Sequence, residues 1–274
     1  MQACIDEHGP DSVAFYVSGQ LLTEDYYVAN KLMKGFVGSG NIDTNSRLCM
    51  ASAVAAHNRA FGEDIVPCTY DDLDHADVIL LVGSNTAWCH PVIWQRIERA
   101  REANGTKLVV IDPRRTETAE RADLHIPIKP DGDVALFDAL LAAQNVDFAE
   151  VATRCEVPKD FAQSRSMAHG IDPQLFTELA LLVANSERLI TLFSQGANQS
   201  RSGTDKGNAI INLHLATGHI NREGAGPFSI TGQPNAMGGR EVGGLANMLA
   251  CHLVFGDDEP VSYTHLTLPT TSRV

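Results

Sequence analysis

A single cysteine, Cys49, stands near the end of the stretch NIDTNSRLCM (41–50), after a polar turn and just before the helix-prone run MASAVAAHNRAF (50–61). A lone cysteine is most often a small buried hydrophobe. A thiol at the start of a helix is different: the dipole and the unpaired first N–H groups favour the thiolate, which binds soft metals or attacks electrophiles. Four other stretches carry residues able to do chemistry: SGQ (18–20), GSNTAWCHP (83–91), DPRRT (112–116) and SQGANQ (194–199). Their Gly, Ser, Asn, Gln and Arg bring backbone and side-chain donors to phosphates or heteroaromatic edges. One such loop alone reads as ordinary turn chemistry. Four together point to a large, polar, multi-phosphate ligand. None matches G-x-G-x-x-G or G-x-x-x-x-G-K-[ST], which weakens dehydrogenase and P-loop readings.

These loops need elements to position them, and the chain alternates strands with helices. SVAFYVSG (12–19) reads as a buried strand and EDYYVANKLMKGF (24–36) as a helix. DVILLVG (77–83) is an apolar run of the kind buried on both faces. HPVIWQRIERAREANG (90–105) is a helix, with Pro91 in its first turn and Gly105 as its stop. KLVVIDPR (107–114) and DLHIPI (123–128) are strands, and DVALFDALLAAQ (133–144) is a helix. A polar span, 145–170, links to a second half with a helix at 172–187, a strand at 188–196 and a helix at 203–220. The Gly-rich stretch 221–244 reads as a long functional loop.

The expected class is α/β, with two interleaved doubly wound, Rossmann-like parallel-sheet units. Residues 30–145 form the first and carry Cys49. Residues 146–258 form the second, with the Gly-rich loop, joined by a strand from residues 1–29. Ligands in such sheets bind beyond the carboxyl ends of strands, where the four polar loops lie.

A formal charge of -13 argues against broad nucleic-acid or membrane-surface binding. No run is apolar and long enough to span a bilayer, and no signal peptide follows Met1. Six scattered cysteines without a C-x-x-C argue against a zinc ribbon or a complete iron–sulfur motif, and fit a reducing, cytoplasmic compartment. The end VSYTHLTLPTTSRV (261–274) departs from the globular pattern and resembles translated adapter sequence, so it is expected to be non-native.

In order along the chain, NIDTNSRLCMASAV, LLVGSNTAWCHP, VVIDPRRT, FSQGANQS and TGQPNAMGGREVGGLANML resemble the molybdopterin-guanine-dinucleotide oxidoreductases. They are most similar to the branch formed by catalytic subunits of bacterial assimilatory nitrate reductases. The resemblance implies that Cys49 is the protein's thiolate ligand to molybdenum in a bis-molybdopterin-guanine-dinucleotide centre, where a soft donor suits a sulfur-rich sphere. It places Gln20, Asn45, Gly83, Ser84, Asn85, Asp112, Arg114, Asp131, Asp133 and Gln199 at cofactor-contacting positions. Asp112 also reads as a turn aspartate before Pro113. Asp131 or Asp133 also reads as a plain helix N-cap.

Arg240 is assigned to the anion, because a guanidinium fork matches a planar oxyanion such as nitrate and the flanking glycines permit close approach. Met50 and Met237 are expected as apolar pocket walls, with helical packing as the alternative for Met50. The implied reaction is two-electron reduction of nitrate to nitrite, with ferredoxin, flavodoxin or an NAD(P)H-linked flavoprotein as electron donor. The family's N-terminal four-cysteine [4Fe–4S] motif and its C-terminal domain are absent from this stretch, so a fragment of a longer enzyme is expected. Two other readings compete. In formate dehydrogenases a histidine follows the metal ligand, whereas here Met50 does. A non-molybdenum electron-transfer scaffold would not need Cys49 or the Arg240 loop.

Overall fold

The computed structural model describes residues 1–45, 49–144 and 169–243, with the backbone alone at Met237 and Arg240. The chain divides into two compact units, Met1–Cys49 with Gln233–Val274, and Met50–Gly232.

The smaller unit begins with α1 (Gln2–His8) and a 3-10 turn at Pro10–Ser12. Strand β1 (Phe15–Val17) pairs in parallel with β2 (Ile42–Thr44). Between them runs α2 (Thr23–Asn30), continued by a π-helical segment, Lys31–Val37.

The larger unit is built on one parallel sheet. Helix α3 (Ala51–Phe61) and a 3-10 turn at Asp71–Asp74 lead to β3 (Val78–Val82), whose five residues are all buried. After α4 (Thr86–Cys89), α5 (Pro91–Asn104) starts on the expected proline and ends at Gly105. Then come β4 (Lys107–Ile111), α6 (Glu117–Glu120), β5 (Leu124–Ile126) and α7 (Asp133–Ala143). Helix α8 (Pro173–Asn185) is capped by Asp172, whose carboxylate accepts from the N–H groups of Gln174 and Leu175. The chain continues through β6 (Leu189–Phe193), α9 (Gln195–Asn198), α10 (Gly203–Ala216) and β7 (Gly226–Ser229). Helix α11 (Ala236–Glu241) returns to the smaller unit.

The strand order β5-β4-β3-β6-β7 has every neighbouring pair parallel. Alternate residues serve opposite faces, as the two-residue period of a strand requires. Val78, Leu80 and Val82 join Phe137 and Leu140 of α7 and Ile210 of α10 in one core. Ile79 and Leu81 join Ile93, Trp94 and Ile97 of α5 in the other. Helix α7 is buried over residues 133–141, as befits a helix apolar on nearly every side.

The α/β class with parallel sheets matches the expectation, but the strands are distributed differently. The expected boundary at 145/146 does not separate two sheets, because β6 pairs directly with β3, Val78 against Leu189. A strand apolar on both faces needs a hydrogen-bonding partner on each edge; β4 supplies one and β6 the other. The strand expected in residues 1–29 is three residues long and pairs with β2, not with the 188–196 strand. Its partner, Ile42–Thr44, lies within the stretch read as a polar turn. The Gly-rich stretch contains β7 and α11. Residues 145–168 of the linking span, Cys155, Cys251 and the 261–274 tail lie outside the described residues.

Candidate functional site

In the larger unit, the chain winds from β3 through β4 to β5 on one side, then returns to place β6 and β7 on the other. The reversal falls between β3 and β6. Open α/β sheets bind ligands beyond the strand ends at such a reversal. Here the two loops touch: the Gly196 N–H donates to the Gly83 carbonyl at 2.9 Å. Gly83 has φ +54°, and a Cβ there would lie 2.5 Å from the Ala197 nitrogen. The glycine is required by this loop-to-loop contact, which a side chain would break.

Neighbouring side chains brace the same loop. The buried Ser84 hydroxyl pairs with that of Thr86 at 2.9 Å, and Asn85 Oδ1 accepts from the Thr118 hydroxyl at 2.6 Å. After β4, the buried Asp112 carboxylate accepts from the Arg114 N–H at 2.8 Å. This is the turn aspartate that the sequence offered as the alternative. The turn leaves the Arg114 guanidinium exposed.

After β5, Asp131 adopts φ +65°, in the left-handed region, and Gly132 is the N-cap of α7. Neither aspartate makes an N-cap hydrogen bond. Instead both meet Lys206 of α10, with Nζ 2.8 Å from Asp131 and 2.9 Å from Asp133. The Ser202 hydroxyl also donates to Asp131 at 3.1 Å. Lys206 is only 2% exposed. Burial works against its charge, yet hydrogen bonds to the two aspartates outweigh it and raise its pKa. The hydrogen bond from Lys206 is the main cause that holds the Asp131 carboxyl below its ordinary value. The sequence reading missed Lys206 altogether.

After β6, Gln199 is exposed, and its backbone N–H donates to the Gln195 carbonyl at 2.8 Å. Asn198 is buried, and its Oδ1 accepts from the Ala53 N–H at 2.7 Å. It therefore supplies, from a distant loop, an acceptor for an otherwise orphaned donor at the start of α3. Met50 is the N-cap of α3, and its side chain packs partly buried against the core. This placement is the packing that the helical alternative describes.

In the smaller unit three expected segments converge. Gly19 donates its N–H to Asn45 Oδ1 at 2.9 Å and accepts from the Asn235 N–H at 3.1 Å. Gln20, the next residue, is exposed. Cys49 is 5% exposed. The backbone of Arg240 and Met237 lies in α11. A Cβ on Gly239 would lie 3.1 Å from the Tyr26 ring, so this glycine, expected to admit a ligand, admits a tyrosine.

The sequence model of the molybdopterin oxidoreductases matches residues 1–271. The chain belongs to the molybdopterin oxidoreductase family. Nitrate reductase of Shewanella frigidimarina is 58% identical over 269 residues, covering 93% of this chain and 29% of that protein. Nitrate reductase of Klebsiella oxytoca is 52% identical over 267 residues, covering 94% and 31%. Acetylene hydratase from Pelobacter acetylenicus shares the fold, with a TM-score of 0.59 at 22% identity over 82% of this chain and 32% of that one. This molybdopterin oxidoreductase chain thus spans about a third of the length of those relatives.

The residues present fit the family's cofactor by their chemistry. Within the larger unit Arg114 and Gln199 expose a cation and an amide, which suit phosphate and ring-nitrogen edges, and Asp131 exposes a carboxylate; within the smaller unit Gln20 exposes an amide. Among the described residues no group of three or more His, Cys, Asp or Glu is placed to hold a metal ion.

Proposed function

We propose that this chain is part of the catalytic subunit of an assimilatory nitrate reductase, built around a molybdenum bis-molybdopterin-guanine-dinucleotide centre. The observation that carries the reading is the 58% and 52% identity to two nitrate reductases across more than nine-tenths of the chain. When bound, the centre supplies two-electron oxygen-atom transfer from nitrate, giving nitrite. Cys49 provides the protein's thiolate to the metal. Arg114 offers its exposed guanidinium to the dinucleotide phosphates, and Asp131 offers a carboxylate to base or ribose donors. Gln20 and Gln199 add amide contacts.

Gly83, Ser84, Asn85, Asp112 and Asp133 act indirectly, by fixing the loops that carry these groups. Asn45 does the same for the 18–20 loop. Arg240 orients nitrate, with Met237 as an apolar wall. A cytoplasmic location, a [4Fe–4S] cluster elsewhere in the longer protein and a ferredoxin, flavodoxin or flavoprotein electron donor belong to the same proposal. Met50 after Cys49 favours nitrate over formate, since a thioether cannot carry a proton.

The test is Cys49→Ser in the enzyme that contains this chain. Replacing a soft donor with a hard one is expected to abolish turnover. Normal activity at normal molybdenum content would overturn the assignment.

A further inference from the structure

The sequence reading gave Tyr26 no role beyond helical spacing, yet the smaller unit is organised around it. Tyr26 is 0% exposed. Its hydroxyl donates to the Ser18 carbonyl and is hydrogen-bonded by the Leu21 backbone and the Thr44 side chain. Ser18 and Leu21 bracket Gln20, and Thr44 precedes Asn45. Its ring packs beneath Gly239, next to Arg240. The same stripe continues at four-residue spacing along α2 to Asn30 and into the π-helical segment at Lys34. Asn30 Nδ2 donates to the Val242 carbonyl at 2.8 Å, and Lys34 Nζ to the Gly243 carbonyl at 2.8 Å.

We propose that Tyr26 is a positioning residue that sets two parts of the site through two separable contacts. Its hydroxyl fixes the 18–21 loop and the end of β2, and so the cofactor groups Gln20 and Asn45. Its ring fixes the backbone of α11, and so the anion group Arg240. The inference deepens the nitrate reductase reading and rests on it. A fully buried phenol is costly unless its hydroxyl is hydrogen-bonded. Here each hydrogen-bond partner belongs to a segment that carries an expected site residue, whereas the ring alone meets α11.

Two variants in the full enzyme separate the contacts. Tyr26→Phe keeps the ring and removes the hydroxyl. It is expected to lower the fraction of folded enzyme that carries pterin by about fivefold, the scale of one lost buried hydrogen bond, with the KM for nitrate of the loaded enzyme unchanged. Tyr26→Leu also removes the platform under Gly239. It is expected to raise that KM about tenfold, since a small misplacement of an orienting group is costly. Pterin content is read by fluorescence of the released cofactor, independently of turnover. Wild-type loading in Tyr26→Phe would sink the loop contact. An unchanged KM in Tyr26→Leu would sink the α11 contact. Lower melting temperature in both variants, with loading and KM of the folded enzyme intact, would make Tyr26 merely structural and overturn the proposal. Unaltered nitrate kinetics in Arg240→Lys would instead remove the anion reading itself and leave the loading result to judge the loop contact.

Discussion

The Lys206 ammonium, almost sealed from solvent, lies 2.8 Å from the Asp131 carboxylate, which is largely exposed, and 2.9 Å from the buried Asp133. The lysine therefore joins the start of α10 to the loop that opens α7. Lys206→Met should destabilise the protein by about 3–5 kcal/mol, because it strands a buried carboxylate without its cation. Asp131→Asn should cost under about 1 kcal/mol, since Asp133 still pairs with the lysine and water screens the exposed partner. Urea unfolding of both variants checks the contrast. Equal losses would show that the exposed aspartate matters as much as the buried one.

Acid should weaken the fold before the carboxylates titrate. His214 is fully buried against Thr191, and burial, reinforced by His219, pushes its pKa down to about 3. In the unfolded chain a histidine titrates near about 6.5. Between those values the unfolded state binds a proton that the folded state refuses, so stability falls as pH falls from about 6.5 towards 3. Asp131, with its depressed value, adds a loss at lower pH, as acid protonates the folded carboxylate. The slope of unfolding free energy against pH across that upper window should flatten in His214→Gln. An unchanged slope would show that another group carries it.

Gly83→Ala should cost at least about 2 kcal/mol, combining a positive φ with a backbone collision. The added carbon would meet the Ala197 nitrogen at 2.5 Å. A thermal melt checks this in the absence of any cofactor. A melting temperature within error of wild type would mean that the two loops separate readily.

Arg240→Lys keeps the charge and loses the fork. Losing such a charge-assisted contact should cost about one to two decades in kcat/KM for nitrate, with molybdenum content unchanged. Steady-state kinetics beside metal analysis make the comparison. Loss of the metal in the variant would assign Arg240 to cofactor anchoring.

The runs VILLV, KLVVI and LITLF announced themselves as strands because burial on both faces leaves a continuous apolar signature. Which strand lies beside which was not legible. The pairing of β3 with β6 depends on edges, and edges leave no local pattern. What was legible of the candidate site was the residue types of its loops, and what was not was the packing those loops make. Gly83, Ser84 and Asn85 carry the residue types of a ligand loop, and equally those of a loop that must pack on its neighbour. Lys206 hid because one lysine in GTDKGNA reads as a solvated face, and only the fold brings two aspartates to it. Tyr26 hid because its partners are backbone groups of the 18–21 loop, one threonine and a glycine, none of which marks a partner in the sequence.

The central pairing of the large sheet has a kinetic consequence. Strand β3 meets β4 after one helical crossover, but the segment that aligns β6 with β3 begins where Asp77 meets Arg188, 111 residues along the chain. Closing so long a loop costs more entropy than closing a local one, and folds rich in distant contacts assemble slowly. The β3–β4–β5 half can gather early from neighbouring sequence, carrying Arg114 and Asp131 with it. The contact between Gly83 and Gly196 forms only when β6 docks. Lys206, which follows β6, reaches Asp131 at the same late stage. On contact order alone, the Gly83–Gly196 contact and the Lys206 pairing are expected to protect their amides from exchange later in refolding than the β3–β4–β5 half, which pulsed hydrogen exchange would read.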